Sequence, residues 1–566
     1  MAELELINGY PESMRKSIKN VEKTRTWRIK NIPQPMSMEE RKELLDLCHP
    51  DFAPGGKRRI KIGVSKGIYA SNEVADILES YPLINQKDIE LNRIDYDVDV
   101  LIIGGGLAGT SAALLANDRG VPADKILLTN KLRHGDSNSV MAQGGTQAAD
   151  RKEDSPAIHF LDALGGGHFT NKKDVLRTLC EEGPLAIRWL CDLGAMFDRE
   201  EDGSFVELSG GGTSRRRMHA ARDYTGLEEL RVLRDEFRSR NIPYLEFYPV
   251  VELLKYRERV AGAVLWGLET HEYKIVRAKS TVLATGGFGR LHIRGFPTTN
   301  HYGACADGLV LAYRVGAKLI DMDTVQYHPT GAAYPQQIVG QLITEKVRGK
   351  GAQPVNVDGE AFVFPLEPRD VEAAAIIKEC YIKEKGVRTP TGMRGVWLDT
   401  PLIDRLHGKG TTEKMFPAMI RQFSRFGIDM TRDPILIFPT LHYQNGGVET
   451  DSEAKTNIEG LFVAGEVSGG VHGKNRLMGN STLDCLVFGR RAGISSAEYS
   501  REVSPAETLT LDHLDSYVNE LREEGIEPDR FSPVLLPDYR GKAVLSRQID
   551  IPFQDFTLHH QESGKR

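Results

Sequence analysis

The stretch Tyr96-Asp97-Val98-Asp99-Val100-Leu101-Ile102-Ile103-Gly104-Gly105-Gly106-Leu107-Ala108-Gly109 decides the fold. Apolar and polar residues alternate to Asp99, then an unbroken apolar run follows, as in a strand buried within a parallel sheet. Gly104, Gly106 and Gly109 fit G-x-G-x-x-G at the strand end, with Ala108 inside the motif. The first glycine permits a tight turn, the second lets backbone approach a pyrophosphate, and the third lets helix and strand pack closely. AGTSAALLANDRG (Ala108 to Gly120) reads as the next helix, closed by Gly120 as its C-cap. KILLTNK (Lys125 to Lys131) reads as the next strand. Such a βαβ start predicts a parallel, doubly wound α/β sheet with dinucleotide phosphates on the helix N-terminus. The motif alone leaves NAD and FAD open.

Two later segments, STVLATGGFGR (Ser280 to Arg290) and GLFVAGEVSGG (Gly460 to Gly470), repeat the strand-into-glycine texture. Their separation predicts a Rossmann-like domain interrupted by an α+β capping domain. The expected boundaries are 97–322 for its first part, 323–440 for the cap, 441–498 for its second part, and 499–566 for a short, Pro-punctuated C-terminal region. Residues 1–96 form an N-terminal extension. It begins with a basic run, Arg15, Lys16, Lys19, Lys23, Arg25, Arg28 and Lys30, and continues with a second basic patch, GKRRIKIGVSKG. Between them, Ser37 with Glu40 three positions later marks a capping-box helix start. A charge run of this kind is ordinarily a solvated face; a docking surface for a partner is the sharper alternative.

The 566 residues suffice for several domains, and 40% hydrophobic with 27% charged residues is ordinary globular composition. A net charge of −6 argues against nucleic acid as the main partner. No apolar run approaches the roughly 18–20 residues a membrane span needs, and the N-terminus lacks a signal-peptide core. A cytoplasmic protein is expected, peripheral to a membrane at most through partner subunits. The six cysteines are scattered with no C-x-x-C pair, so they read as buried reduced thiols. No metal site is expected, and any iron–sulfur centre belongs on another chain.

Four pieces offer carboxylate-gripping side chains: VQYHPTG (Val325 to Gly331), ITEKVRGKG (Ile343 to Gly351), LHYQNGG (Leu441 to Gly447) and GKNRLMGNST (Gly473 to Thr482). A lone histidine is ordinarily a satisfied core residue, but here each His or Arg lies in a longer pattern. In this order, behind the glycine fingerprint, the pieces resemble the flavoprotein subunits of fumarate reductase and succinate dehydrogenase and their relative L-aspartate oxidase. The resemblance spans about 97–498.

That resemblance implies FAD. The second strand ends in Thr129-Asn130-Lys131, without the acidic residue an NAD site favours, and SNSVMAQGGTQA (Ser137 to Ala148) matches the family's flavin-cradling loop. Implied flavin contacts are Gly104, Gly106, Ala108, Gly109, Asn130, Lys131, Ser137, Asn138, Gly144, Gly145, Asp223, Thr285, Gly286, Glu466, Ser481 and Thr482. Asp223 and Glu466 also read as cap or turn carboxylates. Membrane-bound relatives carry a flavin-linking His where this chain has Asn138, so FAD is expected to be held non-covalently, mildly favouring the reducing direction.

The resemblance also implies a fumarate or succinate site. His442 and Arg476 would hold one carboxylate, His328 and Thr344 the other. Arg369, in EPRDVEAAA, would be the proton donor opposite a flavin N5 hydride, recharged through Glu345 and Arg348; the latter two also read as a surface ion pair on a helix. The family's TEGCRGEGG is altered here at Lys346, Val347, Lys350 and Ala352. An iron–sulfur subunit is the implied electron partner. L-aspartate oxidase is the first rival, supported by SRRRMHAARD (Ser214 to Asp223). A flavin relay subunit without turnover is the second.

Overall fold

The computed structural model describes residues 9–539; expectations touching 1–8 and 540–566 lie outside the described residues. Strand β1 (Tyr96–Ile103) turns at Gly104, φ +107°, into helix α1 (Leu107–Asp118). A side chain at Gly104 would strike the Ala284 carbonyl, and one at Gly109 the Gly104 carbonyl. Strands β2 (Ile126–Thr129) and β3 (Tyr244–Leu245) extend the sheet in parallel on one side. On the other side stand β4 (Val250–Tyr256), β5 (Arg259–Trp266) and β6 (Tyr273–Leu283), in the order β4–β5–β6–β1–β2–β3.

The sheet departs from an all-parallel layout. β6 runs parallel to β1, but β5 is antiparallel to both its neighbours. Only Arg257 and Glu258 separate the paired residues Tyr256 and Arg259. A two-residue connection can join only antiparallel strands.

A second sheet is built from β7 (Val325–Ala332), β8 (Pro354–Val355), β9 (Arg394–Leu398) and β10 (Ile435–Gln444), antiparallel in the order β7–β10–β9–β8. Helix α2 (Arg369–Ile377), wholly buried, packs on β7. Because β10 continues to Gln444, His442 rides on this sheet. The chain then returns: β11 (Leu461–Val463) pairs parallel with β6, and α3 (Asn480–Glu502) lies along α1. Gly489 and Gly493 make that helix contact close, since a Cβ at either would meet the Ala108 or Ala112 backbone.

The N-terminal extension wraps the second sheet. Helix Glu12–Lys30 sends Arg25 and Arg28, both buried, onto Asp399: Arg25 Nη2 lies 2.8 Å from Oδ1 and Arg28 Nη2 2.7 Å from Oδ2. These two bases therefore belong to neither a solvated face nor a docking surface, which corrects that part of the sequence reading. Arg15, Lys16, Lys19, Lys23 and Lys30 are exposed. In the second patch, Arg58 pairs with Asp76 and Glu79. Ser37 and Glu40 form the expected capping box on helix Met38–Cys48. That helix packs its Leu44, Leu45 and Cys48 against Val371 and Ala374 of α2. No described helix is long and apolar enough to cross a membrane, and all six cysteines are free thiols.

Candidate active site

A cavity of about 1650 Å³, its open mouth included, runs from the β1–α1 turn to the second sheet. Its two ends differ in chemistry. One end is glycine-rich backbone and helix N-termini. The other is a cluster of arginines and histidines.

At the first end the wall includes Gly104, Gly106, Ala108, Asn130, Lys131, Ser137, Asn138, Gly144, Gly145, Thr285, Gly286, Glu466, Ser481 and Thr482. Both α1 and α3 begin here without side-chain caps, after Gly106 and Gly479. Their positive dipole ends suit an anionic ligand, although the Leu107 N–H already donates to Ser139 Oγ and the Asn480 N–H to the Leu477 carbonyl. Asn138 ties two walls together: its Nδ2 donates to Glu466 Oε2 at 3.1 Å, and its Oδ1 accepts the His301 N–H at 2.6 Å. Burial raises the Glu466 carboxyl above its usual range, opposed by the Gln444 N–H and Asn138. Thr285 Oγ1, Gln143 Oε1 and Asn300 Oδ1 are buried on or beside this wall without a hydrogen-bond partner. Orphaned polar atoms, side-chain-free glycine backbone and two helix N-termini fit an extended dinucleotide.

Two of the expected flavin residues are elsewhere. Gly109 lies behind the wall, where it lets α1 pack on the turn. Asp223 is a helix cap: it accepts the Ala418 and Met419 N–H groups, at 3.2 and 3.0 Å, at the start of helix Pro417–Ser424. This is the cap alternative of the sequence reading; its spacing in AARDYTG did not reveal which helix is capped, because that helix lies far along the chain.

At the other end, His328 on β7 and His442 on β10 meet edge to face with centroids 4.9 Å apart. Burial drives both imidazoles well below their ordinary value, reinforced by Arg369 and by neighbours including Arg476. They are therefore neutral. The Thr330 N–H donates to His328 Nδ1 at 3.2 Å, so the His328 proton sits on Nε2. His442 Nδ1 lies 2.7 Å from Thr299 Oγ1. Thr344 and Glu345 precede the short helix Lys346–Gly349, Arg369 opens α2, and Arg476 lies in the loop before α3.

Gln326 joins the arginines, a role not visible in the sequence reading. Its Oε1 accepts from Arg369 Nη1 at 3.0 Å and Arg476 Nη2 at 2.8 Å. The available signal was the strand pleat: Gln326 is two residues from His328 and shares its face. Arg476 also stacks over Tyr443, 4.4 Å from the ring centroid, and burial with Arg369 nearby pulls its guanidinium down to about 9.

Behind Arg369 lies a charge chain. Arg369 Nε donates to Glu345 Oε2 at 2.8 Å, and Arg348 Nη2 is 3.3 Å from the same oxygen. Burial pushes Glu345 up, but Arg369, Arg348 and the Gly211 N–H hold it below its usual value. Arg348 does not line the cavity. It is fully buried, as is Glu345, so the pair is not a surface one. Lys346, one of the departures from the family pattern, is also buried, donates to the Arg222 carbonyl, and is lowered to about 8 by burial. Among the described residues, one cluster has metal-ligand spacing, Asp150, Glu207 and His219; none of the three lines the cavity.

Fold and site together define a flavin-dependent oxidoreductase whose cavity ends in a cluster of arginines and histidines. A family model described as FAD binding domain matches residues 99–482. One subunit of the fumarate reductase (CoM/CoB) of Methanothermobacter marburgensis is 40% identical over 426 residues, 74% of this chain and 75% of that one. The L-aspartate oxidase of Streptomyces coelicolor is 36% identical over 434 residues, 74% of this chain and 72% of that one. Among solved structures, a quinol–fumarate reductase with menaquinol molecules superposes with TM-score 0.67 at 31% identity, covering 76% of this chain and 75% of that one. Mycobacterium smegmatis Sdh1 gives 0.63 at 32%, covering 83% and 81%. The chain belongs to the FAD-binding family of fumarate reductase and succinate dehydrogenase flavoprotein subunits and L-aspartate oxidases, and its cofactor is FAD.

Proposed function

We propose that this chain is the catalytic flavoprotein of an enzyme that interconverts fumarate, or a similar unsaturated four-carbon dicarboxylate, with its saturated product. The observation that carries this reading is the convergence of Arg369, Arg476, His328, His442 and Thr344 at one end of the flavin cavity. Arg476 and His442 would grip one carboxylate, and His328 Nε2–H with Thr344 the other. Cationic and N–H donors suit carboxylates, and guanidinium can bind them bidentately. Bound FAD, held non-covalently beside Asn138, supplies hydride chemistry at the substrate. Arg369 is the acid: its proton passes to the substrate carbon that carries the electron pair, and Glu345 with Arg348 recharges it. A dry site strengthens each of these interactions.

Electrons would pass to or from an iron–sulfur partner, a reading supported by the Methanothermobacter relative, which is named as one subunit of its reductase. A cytoplasmic enzyme, near a membrane only through partners, follows from the same reading. The relatives favour a second reading, L-aspartate oxidase, which also suits the asparagine at 138.

The deciding experiment is anaerobic. The holoprotein is reduced with dithionite, fumarate is added, and oxidised flavin absorbance is followed. Rapid reoxidation that disappears in Arg369→Ala supports the proposal. Reduced flavin that ignores fumarate, with oxidised flavin bleached by L-aspartate, would move the assignment to the second reading.

A further inference from the structure

We infer that Glu372 is a proton store at the far end of the Arg369–Glu345–Arg348 chain, acting on the substrate proton through Arg348. The inference rests on the dicarboxylate reaction proposed above and adds a residue to its proton path.

Glu372 lies one turn after Arg369 on α2 and is fully buried. Its Oε2 accepts from Arg348 Nη1, while its Oε1 is buried without a partner. Arg348 therefore stands between two carboxylates, Glu345 on the cavity side and Glu372 behind. A buried carboxylate with one bare oxygen is costly, and holding a proton reduces that cost. Arg348 and Arg369 are already linked through Glu345 without it.

The surroundings agree. Burial raises the Glu372 carboxyl to about 8; Arg348 opposes this, and Glu345 and Glu367 add to it. Glu367 is itself engaged by Arg41 at 2.8 Å and by the Met36 N–H at 2.6 Å. His328, on the strand packed against α2, is neutral. On the same helix Arg369 turns to Glu345, and Asp370 turns away to His168 and Asn475. Burial thus favours the protonated form of Glu372 beside Arg348.

The balance is simple. Arg369 loses one proton as the substrate C–H bond forms. Glu345 conducts a replacement from Arg348, the Glu372 O–H recharges Arg348, and Glu372 is left as a carboxylate. Between turnovers one proton enters from the cavity and returns to Glu372 along Arg369, Glu345 and Arg348. In the oxidative direction each transfer runs backward.

The test is the pH profile of flavin reoxidation in the full-length holoprotein, mixed anaerobically with fumarate from pH 6 to 10. Wild type is expected to be fast below about 8 and to slow above it, as Glu372 empties. Glu372→Gln should lose that break and slow reoxidation about 100-fold at neutral pH, the lower end of proton-transfer effects. Glu372→Asp should keep a break, displaced in pH. A Gln variant with the wild-type break and a rate within about 2-fold overturns the inference. If the Gln variant does not fold with FAD, the Asp variant decides, and an unmoved break overturns it. Wild-type flavin that fumarate does not reoxidise would sink the dicarboxylate reading instead. The same series would then be read on flavin reduction by L-aspartate, where the path must accept the Cα proton.

Discussion

Asn138 Nδ2 and Glu466 Oε2 are 328 residues apart in sequence and 3.1 Å apart in space. The contact closes the loop around Asn138 onto the turn that follows β11; the sequence resemblance implies a flavin-linking histidine here in membrane-bound relatives. An amide cannot make that bond. Acid precipitation should therefore release all flavin into the supernatant; colour retained in the pellet would refute non-covalent binding. Asn138→Ala removes the bonds to Glu466 and to the His301 N–H. FAD affinity should fall about 10-fold, one hydrogen bond's worth of about 1.4 kcal/mol.

Gln326 presents one amide oxygen to two buried guanidiniums, Arg369 and Arg476. Gln326→Leu keeps the bulk and removes that oxygen. With charge-assisted bonds worth about 1.5–3 kcal/mol each, losing both should drop kcat/KM for the dicarboxylate by at least about 100-fold while FAD stays bound. Unchanged kinetics with a lowered melting temperature would mean that Gln326 only packs.

The Arg25–Asp399–Arg28 cluster joins the N-terminal helix to the second sheet out of solvent. Asp399→Asn leaves two buried guanidiniums without their counter-charge. A loss of about 3–5 kcal/mol is expected from urea unfolding. The flavin spectrum of the folded fraction should not change. A wild-type denaturation midpoint would show that the extension is not anchored there.

His134 and His159 are both held at about 4, by burial first and by neighbouring arginines. Their folded values lie below the ordinary 6.5, so the unfolded chain takes up protons that the folded one refuses. The sign follows: this stability is fully present above about 6.5 and is lost as pH falls toward 4. By pH 5 each histidine should cost about 2 kcal/mol. His159→Gln should flatten the stability profile between pH 7 and 5 by that amount, measured by chemical denaturation. An identical slope in the variant would contradict the burial of a neutral imidazole.

Much of this was legible from local pattern. The β1–α1 turn, its glycines and the Ser37–Glu40 cap depend on residues within one turn or one strand, where steric and hydrogen-bond rules act at short range. The histidine and arginine pieces were visible for the same reason, each as a short motif. Other features were invisible because their partners are far away in sequence. The cap reading of Asp223 was available, but not its partner, a helix that begins at Pro417. Arg25 and Arg28 find Asp399, and Glu372 meets Arg348 only because α2 lies beside the helix Lys346–Gly349.

The sequence by itself determined a dinucleotide cradle and set histidines and arginines in short motifs, because both follow from which residues stand next to one another. Only the tertiary structure decided which charges are buried, which pair, and which histidines are neutral. Those properties depend on solvent exclusion and on distances between segments, which chain order does not specify.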